Sequence, residues 1–125
     1  MEARKKVCII DDEMDIREIY SMKLKSYGYE IIEAANGQQG LDAIRANAPD
    51  IILLDLLMPV KDGVDVMLEL KDDEKFSKIP IIIFSNIDDD ETLKKIGKNF
   101  ETRFFLIKAL TTPEKVAKLV REVVH

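Results

Sequence analysis

Acidic, hydroxyl and ammonium side chains follow short apolar runs of the sequence. Asp11 and Asp12 follow one run, Asp55 follows a second, and Ser85 and Lys108 follow two more. If these residues meet, three carboxylates close together repel one another, so a cation is expected among them. Oxygen ligands favour Mg²⁺ or Mn²⁺ over zinc. A hydroxyl and an ammonium beside that cation would neutralise a phosphoryl group, and Asp55 as the nucleophile would form an acyl phosphate.

Each of these residues also has an ordinary structural explanation. An aspartate alone can cap a helix, a serine can lie in a turn, and a lysine can be a solvated charge. The hypothesis of a shared site gains its support from the fact that four separate apolar runs end in this way. It requires the runs to be parallel strands, because the carboxyl ends of parallel strands meet at one edge of a sheet.

The apolar runs have the length and composition of strands that are buried on both faces. Strands are predicted at Val7–Ile10, Tyr29–Glu33, Ile51–Leu54, Ile81–Phe84 and Phe104–Ile107. A helix is predicted after each strand, and four of them have start signals, at Asn36–Gly37, Asp62–Gly63, Asp88–Glu91 and Thr112–Pro113. Five strands that alternate with five helices predict an α/β fold, with a parallel sheet covered on both faces.

The composition is that of a globular domain and excludes several classes of function. The chain has 125 residues, of which 46% are hydrophobic and 34% are charged, with a net charge of −5. The excess of acid argues against direct nucleic-acid binding, and no apolar run approaches the roughly 20 residues of a membrane span. Cys8 is the only cysteine, so no intramolecular disulfide can form. We therefore expect a single cytoplasmic domain that comprises residues 1–125.

The motifs together resemble, from end to end, the receiver domain of the bacterial two-component response regulators. The resemblance is carried by Asp11–Asp12, by Asp55 with Met58–Pro59 and Asp62–Gly63, by Asn36–Gly37 with Leu41, and by Ser85 and Lys108. It implies a flavodoxin-like (βα)5 doubly wound parallel sheet with the strand order 2-1-3-4-5.

The resemblance also implies roles for the residues of the site. Asp55 would accept a phosphoryl group from a histidine kinase or a histidine phosphotransfer protein, assisted by Ser85 and Lys108. Asp12 and Asp55 would bind Mg²⁺ (or Mn²⁺) directly, and Asp11 would help through a water molecule. Leu57 would contribute only its backbone carbonyl to the metal.

Signalling would follow from a conformational switch in which Ser85 and Phe105 occupy the hydroxyl and aromatic positions. A downstream protein would bind the face formed by the fourth helix, the fifth strand and the fifth helix. By this resemblance the chain is not an enzyme with a separate substrate. It would catalyse only the phosphorylation and dephosphorylation of its own Asp55.

The sequence departs from the family pattern at several positions. Ala109 stands where the family usually has a proline. A cis bond at Lys108–Ala109 would cost about 2.5–4 kcal/mol, so we expect this bond to be either trans, or cis and strained. Asn86 replaces the small residue that usually follows Ser85, and we expect it to narrow access to the phosphoryl site. Asn99–Thr102 replaces the usual Gly-Ala before the fifth strand.

Leu57 and Ile87 border, by resemblance, the approach of a water molecule that would hydrolyse the acyl phosphate. Their aliphatic side chains cannot orient water, which predicts a long-lived phosphorylated form. The sequence equally permits that they only pack against each other or against a partner.

The residues alone leave two other functions open. An aspartyl-nucleophile phosphohydrolase would need an acid two residues after Asp55, where Leu57 stands. A flavodoxin-like small-molecule binder would need a phosphate loop rich in serine, threonine and glycine after the first strand. The chain has Asp11–Glu13 at that place, and its acids would repel a phosphate.

Overall fold

A five-stranded parallel sheet forms the centre of the computed structural model, which describes residues 4–86, 91, 94, 96 and 104–125. The strands are β1 (Lys6–Ile10), β2 (Glu30–Ala34), β3 (Ile51–Leu54), β4 (Ile81–Ser85) and β5 (Phe105–Ile107). Their order is β2-β1-β3-β4-β5, and every neighbouring pair is parallel. The predicted α/β class and the predicted strand order 2-1-3-4-5 are confirmed.

Four helices are described with both of their ends. They are α1 (Met14–Ser26), α2 (Gly37–Asn47), α3 (Gly63–Lys71) and a C-terminal helix (Pro113–Val124). The helix predicted to begin at Asp88–Glu91 lies largely outside the described residues; of it, Glu91, Lys94 and Ile96 are described, and all three are helical. Ile96 is buried in the core.

Side-chain caps begin three of these helices where the sequence predicts them. Asn36, Asp62 and Thr112 each accept a hydrogen bond from the backbone N–H three residues on, at 2.9, 2.9 and 3.2 Å. Gln39 accepts a hydrogen bond from Ala35 N at 3.0 Å. It therefore reaches one residue beyond the backbone N–H that a capping box would satisfy.

The helices cover both faces of the sheet. Within β3, Ile52 and Leu54 pack with α2 and α3, whereas Ile51 and Leu53 pack with α1 and the C-terminal helix. All four side chains are at most 1% exposed, as expected for a central strand of a doubly wound fold. Within the described part of the chain, no helix has the length and apolar character needed to cross a membrane.

Two glycines allow loops and helices to lie against each other near the carboxyl edge of the sheet. A Cβ atom on Gly37 would lie 2.1 Å from the carbonyl oxygen of Lys61. On Gly63 it would lie 2.4 Å from the carbonyl oxygen of Asp55 and 2.7 Å from Leu56 Cα. The Asp62–Gly63 motif thus combines a helix cap with close approach of α3 to the end of β3.

Val60 has a backbone conformation that β-branched residues rarely adopt. Its φ is +68°, in the left-handed region, and it is central to a tight turn in which Lys61 N donates to Pro59 O at 2.7 Å. This conformation costs a residue with a Cβ about 1–2 kcal/mol. The Val60 side chain is 82% exposed, so its burial offsets little of that cost.

We predict that Val60→Gly raises the free energy of unfolding by about 1 kcal/mol, because glycine adopts a positive φ without a steric penalty. Urea unfolding followed by circular dichroism measures the change. Val60→Ala is the matched control; it keeps the Cβ atom and should recover only a minor part of the gain. A loss of stability in Val60→Gly would show that the turn is not strained.

Candidate functional site

The parallel strands bring the predicted polar residues together at the carboxyl edge of the sheet. Asp11 directly follows β1, Asp55 directly follows β3, Ser85 ends β4, and Lys108 directly follows β5. Carboxylate oxygens of Asp11, Asp12 and Asp55 all lie within 4.8 Å of one another. Asp11 and Asp55 are buried, whereas Asp12 is exposed to solvent.

Asp55 is held by hydrogen bonds to both of its carboxylate oxygens. Oδ1 accepts from Ser85 Oγ at 2.8 Å and from the backbone N–H of Leu57 at 3.2 Å. Oδ2 accepts from Lys108 Nζ at 3.1 Å. The backbone N–H of Asp55 donates to Ile10 O at 2.9 Å, which extends the pairing of β1 and β3 by one residue. The orientation of the carboxylate is therefore fixed from three strands of the sheet.

Lys108 bridges three acids with one ammonium group. Its Nζ lies 2.7 Å from Asp11 Oδ2, 2.8 Å from Glu13 Oε2 and 3.1 Å from Asp55 Oδ2. Burial alone would lower the pKa of Lys108, but its close interactions with the carboxylates of Asp11, Glu13 and Asp55 outweigh it and raise the pKa above its usual value. Lys108 consequently stays charged throughout the physiological range of pH.

Asp11 is the most deeply buried acid of the site, with 1% of its surface exposed. Its Oδ1 accepts from the backbone N–H of Glu13 at 2.9 Å. Burial raises the pKa of the Asp11 carboxyl, and its interactions with Lys108 and with the Glu13 backbone only partly oppose that shift. The folded protein therefore carries the negative charge of Asp11 at a cost in stability.

Glu13 also lies at this edge, and its contact with Lys108 is not predicted from the sequence. Its carboxylate pairs with the ammonium of Lys108. The Glu13 side chain is 58% exposed. Solvent screens such a pair, so it contributes less than the buried pair of Lys108 with Asp55. The position of Glu13 directly after Asp12 is the signal that could have identified it.

The other predicted residues that the structure describes lie in or shortly after β3, β4 and β5. Phe105 is half-buried and packs against the core on the side of α2 and α3. The side chain of Leu57 is 56% exposed, and Ile87 lies outside the described residues. The bond between Lys108 and Ala109 is trans, since the described residues contain no cis peptide. Asn86 accepts a hydrogen bond from Ala109 N at 2.8 Å.

Two groups of known proteins are similar to this chain, curated sequences and solved structures. Two curated relatives, both called "Probable transcriptional regulator ycf27", come from Guillardia theta and Cyanophora paradoxa. The first is 36% identical over 89 residues and the second 38% identical over 86, which is 71% and 69% of this chain. The matches cover 34% and 35% of the relatives, so the chain spans about a third of their length.

Solved structures resemble the whole fold. The chemotaxis response regulator CheY4 of Vibrio cholerae has a TM-score of 0.85 and 27% identity, over 97% of this chain and 99% of that one. A CheY-like receiver domain protein from Methanospirillum hungatei has a TM-score of 0.87 over 98% and 94% of the two chains. Its identity is 19%, so that likeness concerns the fold alone.

The sequence profile of the response regulator receiver domain matches residues 7–121, from the second residue of β1 to within the C-terminal helix. The match spans every strand of the sheet and all four strand ends that carry the polar cluster. The chain therefore belongs to the response regulator receiver domain family.

Proposed function

We propose that this chain is a phosphorylatable switch in which Asp55 accepts a phosphoryl group. Receiver domains of response regulators are signalling domains of two-component systems, and not enzymes in the usual sense. One observation carries the proposal. Asp55 is a buried carboxylate whose two oxygens are contacted by one hydroxyl and one ammonium, from two other strand ends. Both donors can turn from the oxygens of the Asp55 carboxylate to the oxygens of a phosphoryl group bound to it.

The transfer uses groups that are already in place. A carboxylate oxygen of Asp55 bonds to phosphorus, while the bond from phosphorus to the donor's nitrogen or oxygen breaks. Ser85 Oγ and Lys108 Nζ, which lie 2.8 and 3.1 Å from the Asp55 oxygens, then turn to the phosphoryl oxygens. Because Lys108 remains charged, it neutralises part of the added negative charge.

The acids of this edge fit a hard divalent cation. Oxygen atoms of Asp11, Asp12 and Asp55 lie within 4.8 Å of one another, and carboxylates are the ligands that Mg²⁺ or Mn²⁺ prefers. We propose that Asp12 and Asp55 hold the ion directly, with Asp11 through water and Leu57 through its carbonyl. When bound, the ion supplies neutralisation of the phosphoryl charge.

Two kinds of protein partner are proposed from the family, a phosphoryl donor and a downstream protein. A histidine kinase or a histidine phosphotransfer protein would be the phosphoryl donor, and loss of the group would be catalysed by the chain itself. Residues 1–125 would act as one receiver unit. A downstream protein would bind the face that contains β5, the C-terminal helix and the helix before β5, much of which lies outside the described residues.

The proposed switch connects the site to that face. Ser85 Oγ is fully buried and points at Asp55, and Phe105 is paired with Ile83 in the neighbouring strand. If Ser85 moves toward a phosphoryl group, the half-buried ring of Phe105 can occupy the space that it leaves. Two packings of β4 and β5 would then have different stabilities with and without the phosphoryl group.

We predict that Asp55→Asn abolishes labelling by acetyl phosphate, because the amide keeps the shape of the side chain but is not a nucleophile. Mass spectrometry would detect one added phosphoryl group in the unaltered protein, only with Mg²⁺ present, and this group should be base-labile. Asp50→Asn is the matched control, since Asp50 precedes β3 at the opposite edge of the sheet and contacts Lys6 N. Undiminished labelling of Asp55→Asn would refute the assignment.

We predict that Asp11→Asn stabilises the metal-free protein at neutral pH, because the amide removes a buried charge whose burial raises the pKa of Asp11. The raised pKa of Asp11 means that the folded state binds the proton more tightly than the unfolded chain does. The contribution of Asp11 to stability therefore falls as pH rises from the ordinary aspartate pKa through the folded-state pKa. The difference between the variant and the unaltered protein should grow over that interval, as measured by urea unfolding in EDTA.

The same variant tests the metal site. Mg²⁺ stabilises whichever state binds it, so added Mg²⁺ should raise the melting temperature of the unaltered protein more than that of Asp11→Asn. Asp50→Asn should respond like the unaltered protein. An equal response of Asp11→Asn and Asp50→Asn to Mg²⁺, or a stability gain independent of pH, would contradict the prediction.

We predict that beryllium trifluoride with Mg²⁺, a phosphoryl mimic, changes amide hydrogen exchange across residues 86–107. The physical reason is the altered packing of Ser85 and Phe105. Ser85→Ala should still bind the mimic yet lose most of this response. Exchange that stays unchanged in the unaltered protein, with binding demonstrated by fluorine NMR, would argue against the switch.

A further inference from the structure

Two positions at which the sequence departs from the receiver pattern are in direct contact. Asn86 Oδ1 accepts a hydrogen bond from the backbone N–H of Ala109 at 2.8 Å. A proline at position 109 would have no N–H to donate, and a small apolar residue at position 86 would have no acceptor. This hydrogen bond therefore needs both departures, an acceptor at position 86 and a backbone N–H at position 109.

The contact lies next to the two groups that hold Asp55. Asn86 directly follows Ser85, and Ala109 directly follows Lys108. Ser85 Oγ and Lys108 Nζ reach opposite oxygens of Asp55. The hydrogen bond consequently joins the side chain of Asn86 to the backbone of Ala109, just outside the point where Ser85 and Lys108 converge on Asp55.

The bond also continues the pairing of β4 and β5. The last registered pair of these strands is Ser85 with Ile107, and beyond it the chain enters a short 3-10 turn, Lys108–Leu110. Thr111 closes the far side of this turn, since its Oγ1 donates to Ile107 O at 2.8 Å. Asn86 is the side chain that ties the near side of the turn to the end of β4.

We propose that Asn86 is a positioning residue that holds the turn carrying Lys108 against the segment carrying Ser85. The two groups then approach Asp55, and later the phosphoryl group, as a unit. This proposal rests on the proposed function of Asp55 for its effect on phosphorylation. The position of Lys108 matters because a lysine side chain is long and flexible, and a fixed backbone reduces the entropy lost when it is ordered.

The size of the effect follows from the exposure of the contact. Asn86 and Ala109 are both exposed, so water can replace either partner. The net free-energy contribution of this hydrogen bond is therefore modest. If the positioning that this bond provides lowers the barrier by the full net value of one hydrogen bond, its loss corresponds to a rate reduction of about three- to tenfold. The loss should appear in the maximal labelling rate at saturating donor, with little change in the donor concentration that gives half of that rate.

Three variants separate positioning from general effects. Asn86→Ala removes the acceptor, and Asn86→Asp retains an oxygen at the same place. Asn47→Ala is the matched control, because its side chain donates to Ala43 O near the opposite edge of the sheet. Circular dichroism checks that the three variants keep the fold of the unaltered protein. We expect unchanged spectra, because Asn86 is exposed and Asn47 is half-buried.

The first measurement does not involve phosphorylation. Proton–nitrogen NMR would follow exchange of the Ala109 amide and the resonance of the Lys108 ammonium. We expect faster exchange at Ala109 and a shifted or broadened Lys108 signal in Asn86→Ala, neither change in Asn47→Ala, and recovery of both in Asn86→Asp. An Ala109 amide or a Lys108 signal that is unaffected by Asn86→Ala overturns the proposal.

The second measurement is labelling with acetyl phosphate and Mg²⁺. We expect Asn86→Ala to lower the maximal rate about three- to tenfold, and Asn86→Asp to restore most of it, although its added charge weakens binding of the anionic donor. An unchanged maximal rate in Asn86→Ala overturns the proposal even if the Ala109 amide responds. If the unaltered protein is not labelled at all, the proposed function fails, and the Lys108 signal still decides whether Asn86 positions that group.

Discussion

A carboxylate that is 95% removed from water, as Asp55 is, persists in a folded protein only when nearby donors compensate its charge. Three groups supply this compensation, and each comes from a different part of the chain: Ser85 Oγ, Lys108 Nζ and the backbone N–H of Leu57. Loss of any one leaves a buried charge with one donor fewer. The ends of β3, β4 and β5 are thus tied to one another through a single side chain.

The position of β3 in the sheet and the start of α3 allow this carboxylate to be buried. Asp55 can be buried because β3 is central and is covered by helices on both faces, and because α3 begins against its carboxyl end. The start of α3 comes so close to β3 that only a glycine fits at position 63. Val60 adopts its positive φ in the loop that joins β3 to α3.

The sequence predicts much of the fold because its strands are simple to recognise. Continuous apolar runs that end in polar residues identify β1, β3 and β4 to within a residue, and strict alternation with helices specifies parallel pairing. The residues predicted to gather at the strand ends do so because parallel strands leave their carboxyl ends at one edge. The helix caps at Asn36, Asp62 and Thr112 are equally easy to recognise in the sequence, because each cap depends on residues that are three apart.

Contacts between distant segments could not be predicted in this way. Glu13 and Lys108 are 95 residues apart in sequence, and Asn86 and Ala109 are 23 apart. No periodicity or spacing relates such residues; they meet only because β1, β4 and β5 are placed together by the sheet. Each of Asn86 and Ala109 is visible in the sequence as a departure from a pattern, but their compensation is a property of the tertiary structure.

The charges of the edge are not balanced, and this imbalance has a consequence for function. Lys108 interacts with three carboxylates, and Asp12 adds a fourth that is exposed to solvent. An arrangement with more acids than the ammonium can neutralise favours a cation and disfavours an anion. A phosphoryl donor is an anion, so it would approach a site whose own charge opposes it. Cation binding at Asp11, Asp12 and Asp55 would reverse that opposition, and it would also free Lys108 to leave the acids and follow the phosphoryl group. The same excess of acid that lowers the stability of the resting protein would therefore make phosphorylation conditional on the metal.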